Sequence, residues 1–336
     1  MPELDVVVCG LVVADIIGRP IDVTCPPARG GLRLINQIQL FTGGNVCNVG
    51  IALAKLGARV GAISRVGDDR WKDFVLAELH RYGIDTRGIR VERGAQTSAT
   101  IVCVDEAGER SFFSVLDSTN RITSADLLDN LPLLRRSRML ALGYYGLLPS
   151  LETNLPGILA ALKRKTRSAK RPGGIEIALD TGGSAIHGGR LSRLGQCLRF
   201  VDYFIPSHDE ARALTGVEDP REILDAIEQA AEVVPKVIGV KLGDRGCLLR
   251  ERAAAQESAS PLCPGEHLIP AFRVRNVVDT TGAGDCFYAG FLAALLRGYS
   301  AAEAGRFANR VAGCCIEKLG ATSGVRSFQA TRRMLL

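Results

Sequence analysis

Short unbroken apolar runs alternate along this chain with longer stretches whose apolar positions recur every three or four residues. Asp5–Gly10 holds Val6, Val7, Val8 and Cys9 in a row, the pattern of a β-branched strand buried on both faces. Residues 45–56 then place Val46, Val49, Ala52, Leu53 and Leu56 on one helical face, and Gly57 marks the end of that helix. Val60–Ser64 predicts a strand and Trp71–Tyr82 an amphipathic helix closed by Gly83. The rhythm returns with a strand at Val201–Ile205, a short helix at Glu210–Leu214, and strands at Val237–Lys241 and Cys247–Arg250 around a Gly-rich turn. Val274–Val278 predicts a buried strand ending at Asp279, before helices over about Gly284–Leu296 and Ala301–Lys318. Buried strands alternating with helices predict an α/β fold with a mostly parallel sheet covered on both faces.

Two segments break that rhythm. Asp15–Leu40 and Gln96–Leu116 show half-polar, strand-like alternation with no helix between. Within the second, Asp105–Gly108 supplies a hairpin turn between residues 100–105 and the return strand that starts at Arg110. They predict a small antiparallel sheet, residues 15–40 and 96–116, inserted into a body made of residues 1–14, 41–95 and 117–336. Such a sheet suits a lid over a site, with a pair of surface hairpins as the alternative. Its exposed face suits a homodimer contact. Lys163–Arg171 carries six basic residues in nine. It reads first as the solvated end of a helix, where cations suit the dipole, with a nucleic-acid arm as the alternative. Glu251–Glu266 reads as a polar surface loop.

Composition narrows the class. The 336 residues are 46% hydrophobic and 23% charged, with a net charge of 42 − 36 = +6. That is ordinary globular usage, mildly basic and suited to anionic ligands rather than to nucleic acid. The apolar stretches Val6–Ala14 and Ala289–Leu296 fall short of the ~18 residues that cross a membrane. No secretory pattern is visible at the start, and the ten cysteines include no Cys-x-x-Cys pair. The expectation is a cytoplasmic protein with reduced, mostly buried thiols.

The chemistry concentrates at residues 276–298. There Gly282-Ala283-Gly284 follows the apolar run and opens a helix, with Asp285 in its first turn. Free N–H groups at a helix N-terminus form an anion site, and glycines let a phosphate approach the backbone. A carboxylate beside it can take the proton from a hydroxyl attacking a phosphoryl group. The dinucleotide fingerprint fails because Phe287 stands where its third Gly is needed, and no Walker A run occurs. Taken alone, the same residues could be a plain loop and a capped helix.

The string Asp279-Thr-Thr-Gly-Ala-Gly-Asp285 followed by Phe287 and Gly290-Phe291 resembles the C-terminal signature of the ribokinase-like (PfkB) carbohydrate kinases. Gly43-Gly44 through Asn48 to Gly57, Gly67-Asp68-Asp69, and Pro206 through Glu210 to Gly216 resemble other stretches of that family, over almost the whole chain. The resemblance implies a Rossmann-like body with a β lid and ATP-dependent phosphorylation of a sugar hydroxyl. It implies Asp285 as catalytic base, with Gly282, Ala283 and Gly284 as the anion hole. It assigns Asp15, Gly43, Gly44 and Asn48 to the sugar, and Lys241, Gly243, Gly246 and Asn309 to the nucleotide. Glu210 matches a position that binds Mg2+ through water, and Asp279 and Thr281 match a monovalent-cation (K+) site of some relatives. Ser207 replaces the family's usual Asn three residues before Glu210, a gap that Ser207 or Asp209 could fill. The acceptor implied is a monosaccharide or sugar acid, of the ribose, fructose or 2-keto-3-deoxy acid class, with a sugar phosphate also open. A nucleoside kinase is the alternative, with Phe112, Phe113 and the Tyr144-Tyr145 pair available to a base. A sensing protein that binds sugar or nucleotide is the non-enzymatic alternative.

Overall fold

The computed structural model describes residues 4–169, 171–182, 191–252 and 265–335. Thirteen strands follow one another as β1 Leu4–Cys9, β2 Val13–Arg19, β3 Gln37–Gly43, β4 Val60–Gly67, β5 Asp85–Glu92, β6 Ala99–Val104 and β7 Arg110–Val115. They continue as β8 Ser137–Tyr145, β9 Glu176–Thr181, β10 Tyr203–Phe204, β11 Val237–Lys241, β12 Cys247–Glu251 and β13 Glu266–Ile269. Nine form one sheet in the order β13-β12-β11-β10-β9-β8-β1-β4-β5. Seven of these run parallel, and β12 and β13 close one edge antiparallel.

The apolar run at the start of the chain becomes the middle of this sheet because both its faces are covered. Val6 and Val8 join the core layer built on helices Gly44–Lys55, Ala283–Leu295 and Ala301–Cys315. Val7 and Cys9 join the opposite layer, against helices Leu155–Lys165, Leu191–Leu198 and Pro220–Ala230. All four are fully buried, and each buried apolar side chain of this size stabilises the fold by roughly 1.5–3 kcal/mol. The nine described cysteines are unbridged, and all but Cys25 are buried.

The second sheet has the order β3-β2-β6-β7. Its β2–β3 and β6–β7 pairs are antiparallel hairpins, joined through a parallel β2–β6 pair. Asp15, Thr100 and Ser114 lie in register across it on one face, as do Ile16, Ile101 and Phe113 on the other.

Val274–Val278 is not a strand. Strand β13 takes the sheet edge instead, so the later run pairs with no strand and stays irregular; Val278 N–H bonds to the Ile316 carbonyl at 2.8 Å, and Val277 and Val278 are about half exposed (55% and 46%). The helix expected over Ala301–Lys318 ends at Cys315, and a further short helix, Phe328–Arg333, follows it. The Glu251–Glu266 insertion lies almost wholly outside the described residues, but its two ends belong to strands β12 and β13. In the basic run, Lys163, Arg164 and Lys165 do form the last turn of a helix, and Lys170 lies outside the described residues. Among the described residues no helix is long and apolar enough to cross a membrane.

Candidate active site

Two cavities meet at the start of helix Ala283–Leu295. One, of about 680 Å³, runs along Lys241, Gly243, Gly246, Phe272 and Asn309. The other, of about 1030 Å³, lies under the small sheet and is lined by Asp15, Thr100, Arg110, Phe112 and Tyr144. Ser207, Lys241, Thr280, Ala283 and Gly284 border both.

The junction is built by backbone that only glycine permits. Gly282 caps the helix at φ +71°, and a Cβ there would stand 2.6 Å from the Ala321 carbonyl oxygen. The helix therefore starts abruptly, with its amide end facing the shared volume. Lys241 comes in from the end of β11, and its ammonium lies 3.6 Å from where a Cβ of Gly284 would be. A phosphate at the junction would thus meet amides and a fixed positive charge together.

Asp285 is buried in the first turn of that helix. Its Oδ2 accepts from Asn48 Nδ2 at 2.9 Å, and the Tyr144 hydroxyl donates to both carboxylate oxygens at 2.7 and 2.8 Å. Burial pushes the Asp285 carboxyl up, while the Tyr144 and Asn48 hydrogen bonds and the Lys241 charge hold it down. Burial, with the neighbouring Asp285 charge, pushes the Tyr144 phenol well above its ordinary range, so it remains a donor. Asn48 Oδ1 is buried with no partner among the described residues. An orphaned acceptor at such a place points to a ligand donor.

Asp15 faces the same cavity from β2. The strand that carries it comes so close to Gly43 that a Cβ there would stand 2.1 Å from Asp15 Oδ2. Burial pushes its carboxyl up to about 6, against the hydrogen bond from Thr100. Gly44 lines the cavity as well, at φ +78°.

A charge cluster underlies the junction. Lys241 Nζ lies 3.0 Å from Asp180 Oδ1, at the end of β9. Burial pushes Asp180 up to about 7 against the Lys241 charge, and the nearby Glu210 and Asp285 charges push the same way. Desolvation acts against the Lys241 charge, but the surrounding carboxylates win and hold it above its ordinary range. Glu210 is fixed by N–H of Ser207 (2.9 Å) and the hydroxyl of Thr181 (2.7 Å). Ser207 in turn caps helix His208–Thr215, which is what it does in place of the family's Asn. Asp209 points to solvent and pairs with Arg212, so it does not fill that gap.

The structure thus brings together the positions singled out for base, anion hole and acceptor. On the nucleotide side, Gly243 and Gly246 belong to the turn between β11 and β12. Asn309 lines that cavity, but its amide already donates to the carbonyls of Ile269 and Pro270 at 3.1 Å. Asp279 and Thr281 do not form an open cation site. Arg110, from β7, donates to Asp279 Oδ1 and Thr281 Oγ1, and N–H of Gly320 and Thr281 fill the Asp279 carboxylate at 2.8 Å. These bonds hold Asp279 below the usual carboxylate range in spite of its burial. A K+ ion does not fit that donor set, since a guanidinium already supplies the charge. Magnesium does fit near Glu210 and Asp180, whose hard oxygens suit a water-mediated ion. Among the described residues no three ligating side chains could hold a metal, so phosphate oxygens and water would complete its shell.

Of the aromatic residues, Phe112 and Tyr144 line the wider cavity, Tyr145 is core, and Phe113 sits on the outer face of the small sheet. Asp180, Thr181 and Arg110 were not singled out beforehand. A signal for the first two exists, an Asp-Thr-Gly after the apolar run Ile177–Leu179, close to the Asp-Thr-Thr-Gly at 279–282. Arg110 has none, because its partners are about 170 residues away.

The pattern of the pfkB family carbohydrate kinases matches residues 3–327. The chain is 27% identical over 299 residues to a ribokinase of Haemophilus influenzae, covering 88% of each. Its fold is that of an Arabidopsis thaliana ribokinase solved with ribose and ATP (TM-score 0.78, 23% identity, 100% of this chain and 99% of that one). An adenosine kinase of Sinorhizobium meliloti superposes equally well (TM-score 0.78, 22% identity, 99% of this chain and 100% of that one). With the match running nearly end to end, the chain belongs to the pfkB family of carbohydrate kinases.

Proposed function

We propose that this kinase transfers the γ-phosphoryl group of ATP to a hydroxyl of a monosaccharide or sugar acid, with Asp285 as general base. The observation that carries the reading is the meeting of two cavities at Ala283, Gly284 and Lys241, with Asp285 beside them. The narrower cavity suits the nucleotide and the wider one the acceptor. Asp15, the free Oδ1 of Asn48 and the close approach allowed by Gly43 and Gly44 supply polar contacts for sugar hydroxyls.

In this reading the small sheet is a lid that excludes water from the acceptor. The acceptor hydroxyl displaces or shares the Tyr144 bond and passes its proton to Asp285. The first-turn amides of helix Ala283–Leu295 and the Lys241 ammonium stabilise charge on the transferring group. Magnesium, held near Glu210 and Asp180, would neutralise phosphate charge when bound. The outer face of the lid exposes Ile38, Leu40, Ile101 and Phe113, apolar surface suited to a second copy of the chain.

The test is ADP release from Mg-ATP across sugars, sugar acids, sugar phosphates and nucleosides, with Asp285→Asn alongside. Turnover of a sugar or sugar acid that vanishes in the variant supports the reading. Turnover confined to nucleosides would replace it with a nucleoside kinase, for which Phe112 and Tyr144 in the wider cavity would form the base contact.

A further inference from the structure

At the amino ends of β9, β10 and β11, the edge of the sheet opposite the site, the chain forms a second cleft of about 500 Å³. The basic run is only one of its walls. Lys163, Arg164 and Arg167 come from the end of helix Leu155–Lys165 and the turn beyond it, while Arg199 follows helix Leu191–Leu198. Lys236 precedes β11 and Arg252 follows β12. Four separate stretches of chain therefore converge cations on one concavity, which a merely solvated helix end does not require.

Asp202 is the one acidic residue of the lining. Its carboxylate is already shared by Lys163, by Lys236 at 3.2 Å and by N–H of Ile177 at 2.8 Å. Beyond the lining, Glu176 takes Lys236 and Glu232 takes Arg199. Among the described residues, Arg164 and Arg167 meet no carboxylate, and Arg252 reaches only the Val234 carbonyl. The floor is apolar, with Ala160, Val233 and Val234, and the Arg199 guanidinium lies 5.2 Å from the Phe200 ring centre.

We propose that this cleft binds a small phosphorylated molecule carrying a di- or triphosphate next to an apolar or planar part. Six cations against three carboxylates, Asp202, Glu176 and Glu232, still leave a surplus of three, which a singly charged anion does not offset. Arginine forks match phosphate oxygens in pairs, and the floor beside them takes an uncharged moiety. The volume is that of a small-molecule site, whereas duplex nucleic acid needs an extended basic stripe.

The test is calorimetric titration with inorganic pyrophosphate, compared among the wild type, Arg164→Ala/Arg252→Ala and Lys241→Met. Both arginines are exposed, so the double variant is expected to keep its melting temperature. The expected result is two sites in the wild type, one of which weakens at least tenfold in the double variant while the other weakens in Lys241→Met. A single site that survives the double replacement and disappears in Lys241→Met would overturn the proposal, because only the active site would then bind the anion. Duplex DNA retained through the same arginines, with no pyrophosphate heat, would overturn it as well. The readout is binding, so it stands apart from the assignment of the phosphoryl transfer.

Discussion

The same three strands, β9, β10 and β11, end in opposite electrostatic arrangements. At their carboxyl ends three carboxylates, Asp180, Glu210 and Asp285, share the single Lys241 ammonium, and Asp180 and Asp285 are nearly sealed from water (3% and 8% exposed). At their amino ends cations crowd around Asp202 on a surface open to solvent. Burial makes the difference. In the sealed cluster burial raises the proton affinity of Asp180 and Asp285, and the neighbouring carboxylates raise that of Lys241; a proton or a cation-bearing ligand relieves the surplus of negative charge. In the open cleft water and salt screen the crowding, so the cations coexist until a polyanion arrives.

The largest effect that would break this contrast belongs to the base. Asp285→Asn should lower kcat by roughly 10²–10⁴-fold with ATP binding retained, measured by ADP release. Near-normal turnover would remove Asp285 from that role. Next is Arg110, which spans from β7 to Asp279 and Thr281. The wild type should be indifferent to potassium. Arg110→Met should lose about tenfold or more in kcat/KM, the scale of charge-assisted bonds, and should then respond to potassium. Several-fold stimulation of the wild type by potassium over sodium would return Asp279 and Thr281 to a metal.

Tyr144→Phe sharpens the sealed side. Its hydroxyl bonds to the ionised carboxylate and so holds the Asp285 carboxyl down. Without that bond the base should protonate at higher pH, moving the acid limb of kcat/KM upward by about one pH unit. An unmoved limb would make Tyr144 a packing residue. Asp15→Asn tests stability. Asp15 in the fold protonates near about 6, above its unfolded value of about 3.9. Ionisation therefore costs stability above pH 6, and that cost is absent below about pH 4. The variant should melt higher than the wild type at pH 7.5 and not at pH 4, although acceptor binding suffers. The smallest effect is on the open side, where Arg164→Ala/Arg252→Ala should leave kcat within about twofold, as exposed charges far from the chemistry do.

Much of this was legible in one dimension, though unevenly. The β1 run, the helices at Gly44–Lys55 and Ala283–Leu295, and the Gly282–Asp285 junction are local, since periodicity and glycine chemistry act over a few residues. Strands β5, β8 and β9 escaped. Asp85–Glu92 alternates charges and Ser137–Tyr145 draws on Met, Leu and Ala rather than β-branched residues, so sheet membership is conferred by neighbours instead of propensity. Val274–Val278 failed the other way, with strand-like residues but no free edge to pair with.

By itself, then, the sequence determined the α/β alternation, the glycine-built start of the helix and the carboxylate in its first turn, because each depends on spacings within one turn or strand. Only the tertiary structure decided what Asp285 is bonded to, that Arg110 pairs with Asp279, and that a solvated-looking basic run becomes one wall of a cleft. Those contacts join residues from 39 positions apart (Lys163 and Asp202) to 237 apart (Asn48 and Asp285). Charge and hydrogen bonding act over a few ångströms of space, and a linear pattern does not say which distant residues will share them.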